Sequence, residues 1–172
     1  MIHLFRKACL LSVFLPVFTG CAIGVPQTRD EFVTMYKSAG IFGNAEHITV
    51  NRPVKAVVAD VKEFSKKCLN VRVTNSANYQ LKEVGGSTTY HPKIETARKD
   101  VTVLSVQEEY NDRALSGAPK GGLFTLVAEM SPAGKKKTQL DIYYPALGKI
   151  TDQLKQWADG DKRSCPTLTR SW

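Results

Sequence analysis

The sequence predicts an α+β fold, in which an antiparallel sheet packs on one long helix and on a C-terminal helix. Between residues 53 and 68, apolar side chains recur at three- and four-residue spacing, which is typical of an amphipathic helix of about five turns. Between residues 122 and 144, two β-rich segments flank a turn that contains Pro and Gly, which is typical of a hairpin. Both patterns need a shared core, so we expect the helix to cover one face of the sheet.

The long helix is the most legible element of the chain. Asn51 is a suitable cap, and Pro53 suits the first turn. Cys68 ends the apolar stripe, so its sulfur is predicted to face inward. The stripe comprises Val54, Val57, Val58, Val61, Phe64 and Cys68. Alternating residues 47–51 predict a short strand before the helix, and Val71 and Val73 predict another after it.

A short helix is predicted ahead of the first strand. Thr28 and Glu31 have the spacing of a capping box, and Gly40 can end the helix. Its apolar face contains Phe32, Val33 and Tyr36. We expect this helix either to pack on the domain or to space it from the membrane.

The middle of the chain is predicted to be β-rich. The segments "TTYHPKIETAR" and "DVTVLSVQEEY" each suit a strand, with Pro92 favouring an edge or a bend. In the second hairpin strand, Leu140, Ile142 and Tyr144 form one face, and the residues between them form the other. A final helix is predicted from near Ala146 to Gly160, with an apolar stripe at Leu147, Ile150, Leu154 and Trp157.

The order of these elements over residues 46–165 resembles the helix-grip or START-like (SRPBCC) superfamily. In that family a curved antiparallel sheet wraps a long C-terminal helix, and apolar ligands bind between sheet and helix. The predicted terminal helix, near residues 147–159, is short for a family member with a deep cavity. A generic α+β sandwich is the competing fold.

The amino terminus has the pattern of a secretory signal peptide. Arg6 and Lys7 precede an apolar stretch of about 11 residues, whereas a helix needs about 20 to cross a bilayer. Removal of residues 1–20 would leave 152 of the 172 residues, the size of one domain with a linker. We expect a lipidated tether and short helix over residues 21–45 and a single α+β domain over residues 46–172.

The end of this segment, "FTGC" at residues 18–21, resembles the lipobox of bacterial lipoproteins, with Phe18 where that family commonly has Leu. The resemblance implies cleavage before Cys21, lipidation of its sulfur and stable anchoring by several acyl chains. Ala22, in place of the Asp that favours inner-membrane retention, implies the outer membrane, with the domain facing the periplasm. An ordinary signal peptide with an incidental cysteine is the alternative.

The remaining cysteines then predict one disulfide. Cys9 leaves with the signal peptide and Cys21 carries lipid, so Cys68 and Cys165 are left in an oxidising compartment. Their bond would close a loop of roughly 100 residues and join the end of the long helix to the end of the last one. Two free thiols are the alternative.

The charge of the chain excludes few partners. The formal net charge of +8 falls to +6 once Arg6 and Lys7 are removed, and only residues 135–137 form a tight basic run. Nucleic-acid binding needs basic residues clustered on one face, so we expect no nucleic-acid partner. The scattered charge indicates either a solvated surface or attraction to anionic headgroups.

The sequence offers few groups for catalysis. After export only His47 and His91 remain, and both are interpreted as surface residues. Glu129 and Asp141 can approach each other across the hairpin, as solvated carboxylates. "SGAPKGGLF" lacks the GK[ST] ending of a phosphate-binding loop and is interpreted as a turn entering a strand. We therefore predict no catalytic, cofactor-binding or metal-binding residue.

Aromatic side chains are the remaining candidates for a binding surface. Phe124, Tyr143, Tyr144 and Trp157 can line a mouth between the sheet and the terminal helix, or they can belong to the core. The leading interpretation is a non-catalytic envelope lipoprotein that acts through protein contacts or accessory assembly. The alternatives are a binder of a small apolar ligand or lipid and, least favoured, a hydrolase or cyclase.

Overall fold

The computed structural model describes residues 24–38, 43–75, 86–111, 116–145 and 150–168. The signal segment, Cys21 and the predicted helix residues Ala146 and Leu147 lie outside these ranges. No helix within them is both long and apolar enough to cross a bilayer.

The described chain forms one antiparallel sheet of six strands and three helices, which confirms the α+β class. The strands are arranged in the order β1-β6-β5-β4-β3-β2, so the first strand pairs with the last. The elements are α1 (Arg29–Ser38), β1 (Gly43–Val50), α2 (Val54–Leu69), β2 (Arg72–Asn75), β3 (Gly86–Arg98), β4 (Val101–Tyr110), β5 (Leu123–Pro132), β6 (Thr138–Pro145) and α3 (Thr151–Asp159).

Helices cover both faces of the sheet. The inner face is the one covered by α2 and α3, and its core includes Phe64, Leu104, Leu126, Ile142 and Trp157. The outer face is the one covered by α1, and its smaller core comprises Phe32, Val33, Val103, Val127 and Tyr143. Because strand side chains alternate, the three central strands β4, β5 and β6 supply residues to both cores.

The hairpin prediction is confirmed in its strands and its faces. Leu140 and Ile142 are fully buried in the inner core and Tyr144 packs against it, whereas Tyr143 belongs to the outer core.

The position of Pro92 in the sheet also agrees with the sequence. Among the described residues β2 pairs with β3 only from Gly86 to Thr89, so Pro92 lies on a stretch of β3 that is open on that side. The Tyr90 N–H points to that same side, where it donates to the Val71 carbonyl. The nitrogen of Pro92, two residues further along, also faces that side, and it carries no N–H that would be left unpaired.

The helix ends agree only partly with the sequence. Thr28 Oγ1 accepts a hydrogen bond from the Glu31 N–H at 3.2 Å, as the capping box predicts. The predicted cap at Asn51 is wrong, because Pro53 occupies the N-cap position of α2 without a side-chain cap. α3 begins at Thr151 rather than near Ala146. It ends as predicted at Gly160, whose φ of 93° is left-handed and therefore favours glycine.

Arg52 joins the two inner helices to the sheet. Its guanidinium donates to the Ala158 carbonyl at 2.8 Å and to Asp60 Oδ2 at 2.7 Å, which ties the end of α3 to α2. Its own carbonyl accepts from Thr138 Oγ1 on β6 at 2.7 Å. Lys162 Nζ lies 2.8 Å from the other oxygen of Asp60, so this carboxylate, whose side chain is only 9% exposed, has two cationic partners.

Cys68 and Cys165 form a disulfide, with their Cα atoms 5.3 Å apart. Cys68 is buried at the end of the α2 stripe, and Cys165 lies in the segment that returns along α2 after α3. The bond therefore holds this C-terminal segment against α2.

Replacing both cysteines by serine is expected to lower the free energy of unfolding by about 2–4 kcal/mol, because the unfolded chain regains the freedom of a long loop. Urea melts with circular dichroism measure the loss, and the native spectrum should persist. Reductant should cause a similar loss in the wild type and none in the double variant. A wild type that is insensitive to reductant would contradict the disulfide.

Acid should reveal the role of Asp60. Burial raises its pKa, but the hydrogen bonds from Lys162 and Arg52 outweigh that effect and hold the pKa below its ordinary value. Its contribution is therefore complete above the ordinary pKa of about 3.9 and is lost as the pH falls through the lower folded value. Asp60→Asn should cost about 1–3 kcal/mol at pH 7 and flatten this acid dependence. Urea melts from pH 7 to pH 2 measure both effects, and Asp152→Asn, at an 84% exposed side chain, is the control that should follow the wild type.

Candidate functional site

A cleft opens on the outer face of the sheet beside the first turn of α1. Its volume is about 280 Å³. Four elements meet there: the start of α1, the paired strands β3 and β4, and the beginning of β5. We call it the α1 cleft; it is lined by Thr28, Arg29, Asp30, Lys93, Glu95, Ser105, Gln107 and Phe124.

Local packing holds the walls of the α1 cleft in place. Phe32 of α1 is buried, and its ring lies 5.9 Å from that of Phe124, which fixes the helix over the sheet. The turn at residues 116–122, the segment predicted as a turn entering a strand, is bonded to the cleft residue Gln107. Gln107 Nε2 donates to the carbonyls of Lys120 and Gly122, at 3.1 and 2.9 Å. Gly122 is required because a Cβ there would lie 2.0 Å from the Glu108 carbonyl oxygen.

The charges in the α1 cleft form ion pairs with one another. Glu95 receives both cations, Arg29 Nη1 and Lys93 Nζ, each at 2.6 Å. Arg29 also lies 3.0 Å from Asp30. Partly exposed pairs of this kind exchange partners at small cost. The cleft is therefore suited to binding a surface that carries charges of both signs.

The two histidines within the described ranges pair with carboxylates on the outer side of the sheet. His47 Nδ1 lies 2.8 Å from Asp141 Oδ1, and His91 Nε2 lies 2.9 Å from Glu109 Oε2. The His47 side chain is 58% exposed, as expected for a surface residue. Glu129 and Asp141 are direct cross-strand partners, as the hairpin predicts. In the described ranges no three His, Cys, Asp or Glu residues are arranged to hold a metal ion.

The four candidate aromatics do not form a single surface, because they are divided between the two faces. Phe124 and Tyr143 lie on the outer face, and only Phe124 lines the α1 cleft. Burial raises the pKa of Tyr143, although Lys37, whose Nζ lies 5.3 Å from the ring centre, opposes that shift. Trp157 is a core residue on the inner face, fully buried, and its Nε1 donates to the Ser164 carbonyl at 3.1 Å.

Tyr144, the fourth aromatic, belongs to a charged cluster between β1 and α3. Its hydroxyl donates to Glu46, and Lys155 Nζ lies 2.6 Å from the other oxygen of that carboxylate. Burial, followed by the neighbouring Glu46 charge, raises the pKa of Tyr144 to about 12. The phenol therefore stays protonated at neutral pH, and the cluster joins the edge strand to the last helix.

A polar patch on the inner face, formed by cross-strand pairs of β3 and β4, was not predicted from the sequence. Thr88 lies opposite Tyr110, and Tyr90 lies opposite Glu108. The Tyr110 hydroxyl donates to Glu108 Oε2 at 3.1 Å. Burial and the Glu108 carboxylate raise the pKa of Tyr90 well above its usual range. Thr88 is 3% exposed, and its Oγ1 has no hydrogen-bond partner.

Register explains why this patch was missed. The only signal in the sequence is a polar residue two positions from a tyrosine in each of "TTY" and "EEY". Alternation puts such residues on one face of each strand, but only the pairing brings the two faces together.

Comparison with known proteins gives no relative from which to transfer a function: no protein-family model, curated protein or solved structure matches the chain. The function of the chain is therefore inferred from its residues and their geometry.

Proposed function

We propose that the chain is a non-catalytic envelope lipoprotein that acts through protein contacts or accessory assembly. The single observation that carries the proposal is the bond between Cys68 and Cys165. It fits a chain exported to an oxidising compartment. The bond also pairs the two cysteines that follow Cys21 with each other. The Cys21 sulfur therefore remains available for the lipid that the lipobox resemblance implies.

The proposed location is the outer membrane, with the domain facing the periplasm. Support comes from the short apolar segment before residue 21 and from Ala22 after it. α1 begins at Arg29, only eight positions after Cys21, so the tether holds the domain close to the bilayer.

A protein partner is favoured by the position of the α1 cleft beside the open stretch of β3. Lys93 and Glu95 line the cleft, and the backbone of Ile94 between them points out of the sheet on the side where β2 has ended. A segment of another protein can thus meet main-chain groups and paired charges at one place. Pro92 and Lys93 limit unselective pairing along this edge.

Changing Cys21 to Ser should leave a soluble or uncleaved precursor, because serine forms no thioether with lipid. Membrane fractionation and labelling with a radioactive fatty acid decide the outcome. Cys9→Ser is the matched control and should remain anchored. Undiminished anchoring and labelling of the Cys21 variant would refute the lipoprotein assignment.

Charge reversal in the α1 cleft tests the protein contact. A photoreactive amino acid at Asp30, which lines the cleft with an 83% exposed side chain, should crosslink to one envelope protein in living cells. Lys93→Glu should reduce that adduct several-fold, because it breaks the ion pair and repels an acidic partner group. Lys55→Glu makes the same charge change on the exposed side of α2 and should have no effect. Equal adducts in both variants would exclude the cleft as the contact.

A second candidate function is the binding of an apolar ligand in a helix-grip arrangement. Two features support this resemblance: β1 lies beside β6 in the sheet, and α2 stands between β1 and β2 along the chain. The final helix α3, however, is short, with nine residues. The specific observation in its favour is the Thr88 hydroxyl, which is buried without a partner beside a carboxylate and two phenols. A ligand with a polar group would supply that partner.

Native mass spectrometry of the purified domain, after incubation with extracted envelope lipids, tests this function. A bound species should appear in the wild type and weaken in Thr88→Val, which removes the hydroxyl at nearly constant volume. Thr74→Val, at an exposed position on β2, is the control and should bind normally. A wild type that binds nothing would exclude the second candidate.

A further inference from the structure

We propose, on the basis of the lipid anchor proposed above, that the domain sits on the bilayer with one particular end down. The turn at residues 116–122 lies against the lipid headgroups, and the basic turn at residues 133–137 points away from them. The proposal assigns the headgroup contact to the turn beside the tether, although the tight basic run lies in the other turn.

Gln27 fastens the tether to the domain. Its Nε2 donates to the carbonyl of Gly117, ninety positions away, at 2.7 Å, and to that of Val25 at 2.8 Å. Its backbone N–H donates to Glu31 Oε2 at 2.8 Å, within the capping arrangement of α1. We call these contacts of Gln27 the clasp. They fix the point at which the chain leaves the domain, beside the 116–122 turn.

The length of the tether then restricts which end of the sheet can reach the bilayer. Cys21 and Gln27 are six positions apart, and a fully extended chain of that length spans at most about 22 Å. β5 runs for ten residues from the 116–122 turn to the 133–137 turn, a distance of about 30 Å. The near end therefore rests within reach of the headgroups, whereas the far end must tip over to approach them.

The composition of Val25 and of the 116–122 turn also suits a headgroup layer. Val25 is a large apolar residue that is 40% exposed, and it lies between the anchor and the clasp. The 116–122 turn carries the exposed Lys120 and no acidic residue. A valine at the interface and a lysine beside lipid phosphates are both favourable. Lys135, Lys136 and Lys137 are left for solvent or for a partner beyond the membrane surface.

Paramagnetic broadening in NMR measures the orientation. The mature chain, which starts at Cys21, is kept free of reductant so that Cys68 and Cys165 stay bonded. The Cys21 thiol is then coupled to a maleimide lipid, and the protein is placed in nanodiscs of phosphatidylglycerol and phosphatidylcholine. A small fraction of lipid carries a gadolinium chelate on its headgroup. Amide signals of residues 116–122 should be broadened several times more than those of residues 133–137. Equal broadening, or the reverse order, would overturn the proposal.

A pair of variants tests whether the clasp sets the orientation. Gln27→Ala should stay bound to the nanodisc and lose most of the difference between the two turns. Gln156→Ala, at an exposed position on α3, should keep it. An unchanged difference in Gln27→Ala would overturn the role of the clasp. Because the lipid is attached chemically, the result does not depend on whether cells lipidate Cys21, so failure of the anchor and failure of the orientation are distinguishable.

Discussion

The inner half of the domain depends on the guanidinium of Arg52. This residue lies at the junction between the first strand and α2, and it reaches the Asp60 carboxylate and the last carbonyls of α3 at the same time. The Trp157 carbonyl also accepts from the Gly160 N–H at 3.0 Å, and the Arg52 contact at 2.8 Å satisfies the next carbonyl, that of Ala158. Gly160 leaves room for the contact, since a Cβ there would lie 3.1 Å from the Arg52 guanidinium. Two helices that are distant in sequence thus share one charged partner.

The two faces of the sheet are stabilised by different kinds of contact. The inner face is held by an apolar core, the Arg52 contacts and a disulfide. The outer face is held by one short helix, by a core of five buried residues of which two belong to that helix, and by ion pairs that are open to solvent. A face of the second kind adapts more readily to a partner, because its contacts exchange at small cost. The chain before α1 joins the domain on that same face, so the proposed anchor and the proposed partner contact are close to one another.

Local patterns were sufficient for most of the architecture. The periodicity of α2, the alternation of Leu140, Ile142 and Tyr144, and the left-handed Gly160 each follow from chemistry within a few residues. The start of α3 was misjudged because Leu147 continues the apolar spacing of that helix. The cap of α2 was misjudged because Asn51 suits a role that Pro53 occupies. For the candidate site, the four aromatic residues were the right type, but only Phe124 lines the α1 cleft. The ion pairs of Glu95 and the patch around Thr88 depend on strand register, which neighbouring residues do not specify.

The bond between Cys68 and Cys165 also depends on the order in which the chain is synthesised. The two cysteines are 97 positions apart. A chain that emerges from its amino terminus therefore presents the six described strands and α3 before this ring can close. During that interval Cys68 has no permanent partner, and it becomes bonded only when Cys165 arrives. The oxidation state of one buried sulfur thus distinguishes a chain that has delivered its sheet and last helix from one that still lacks them.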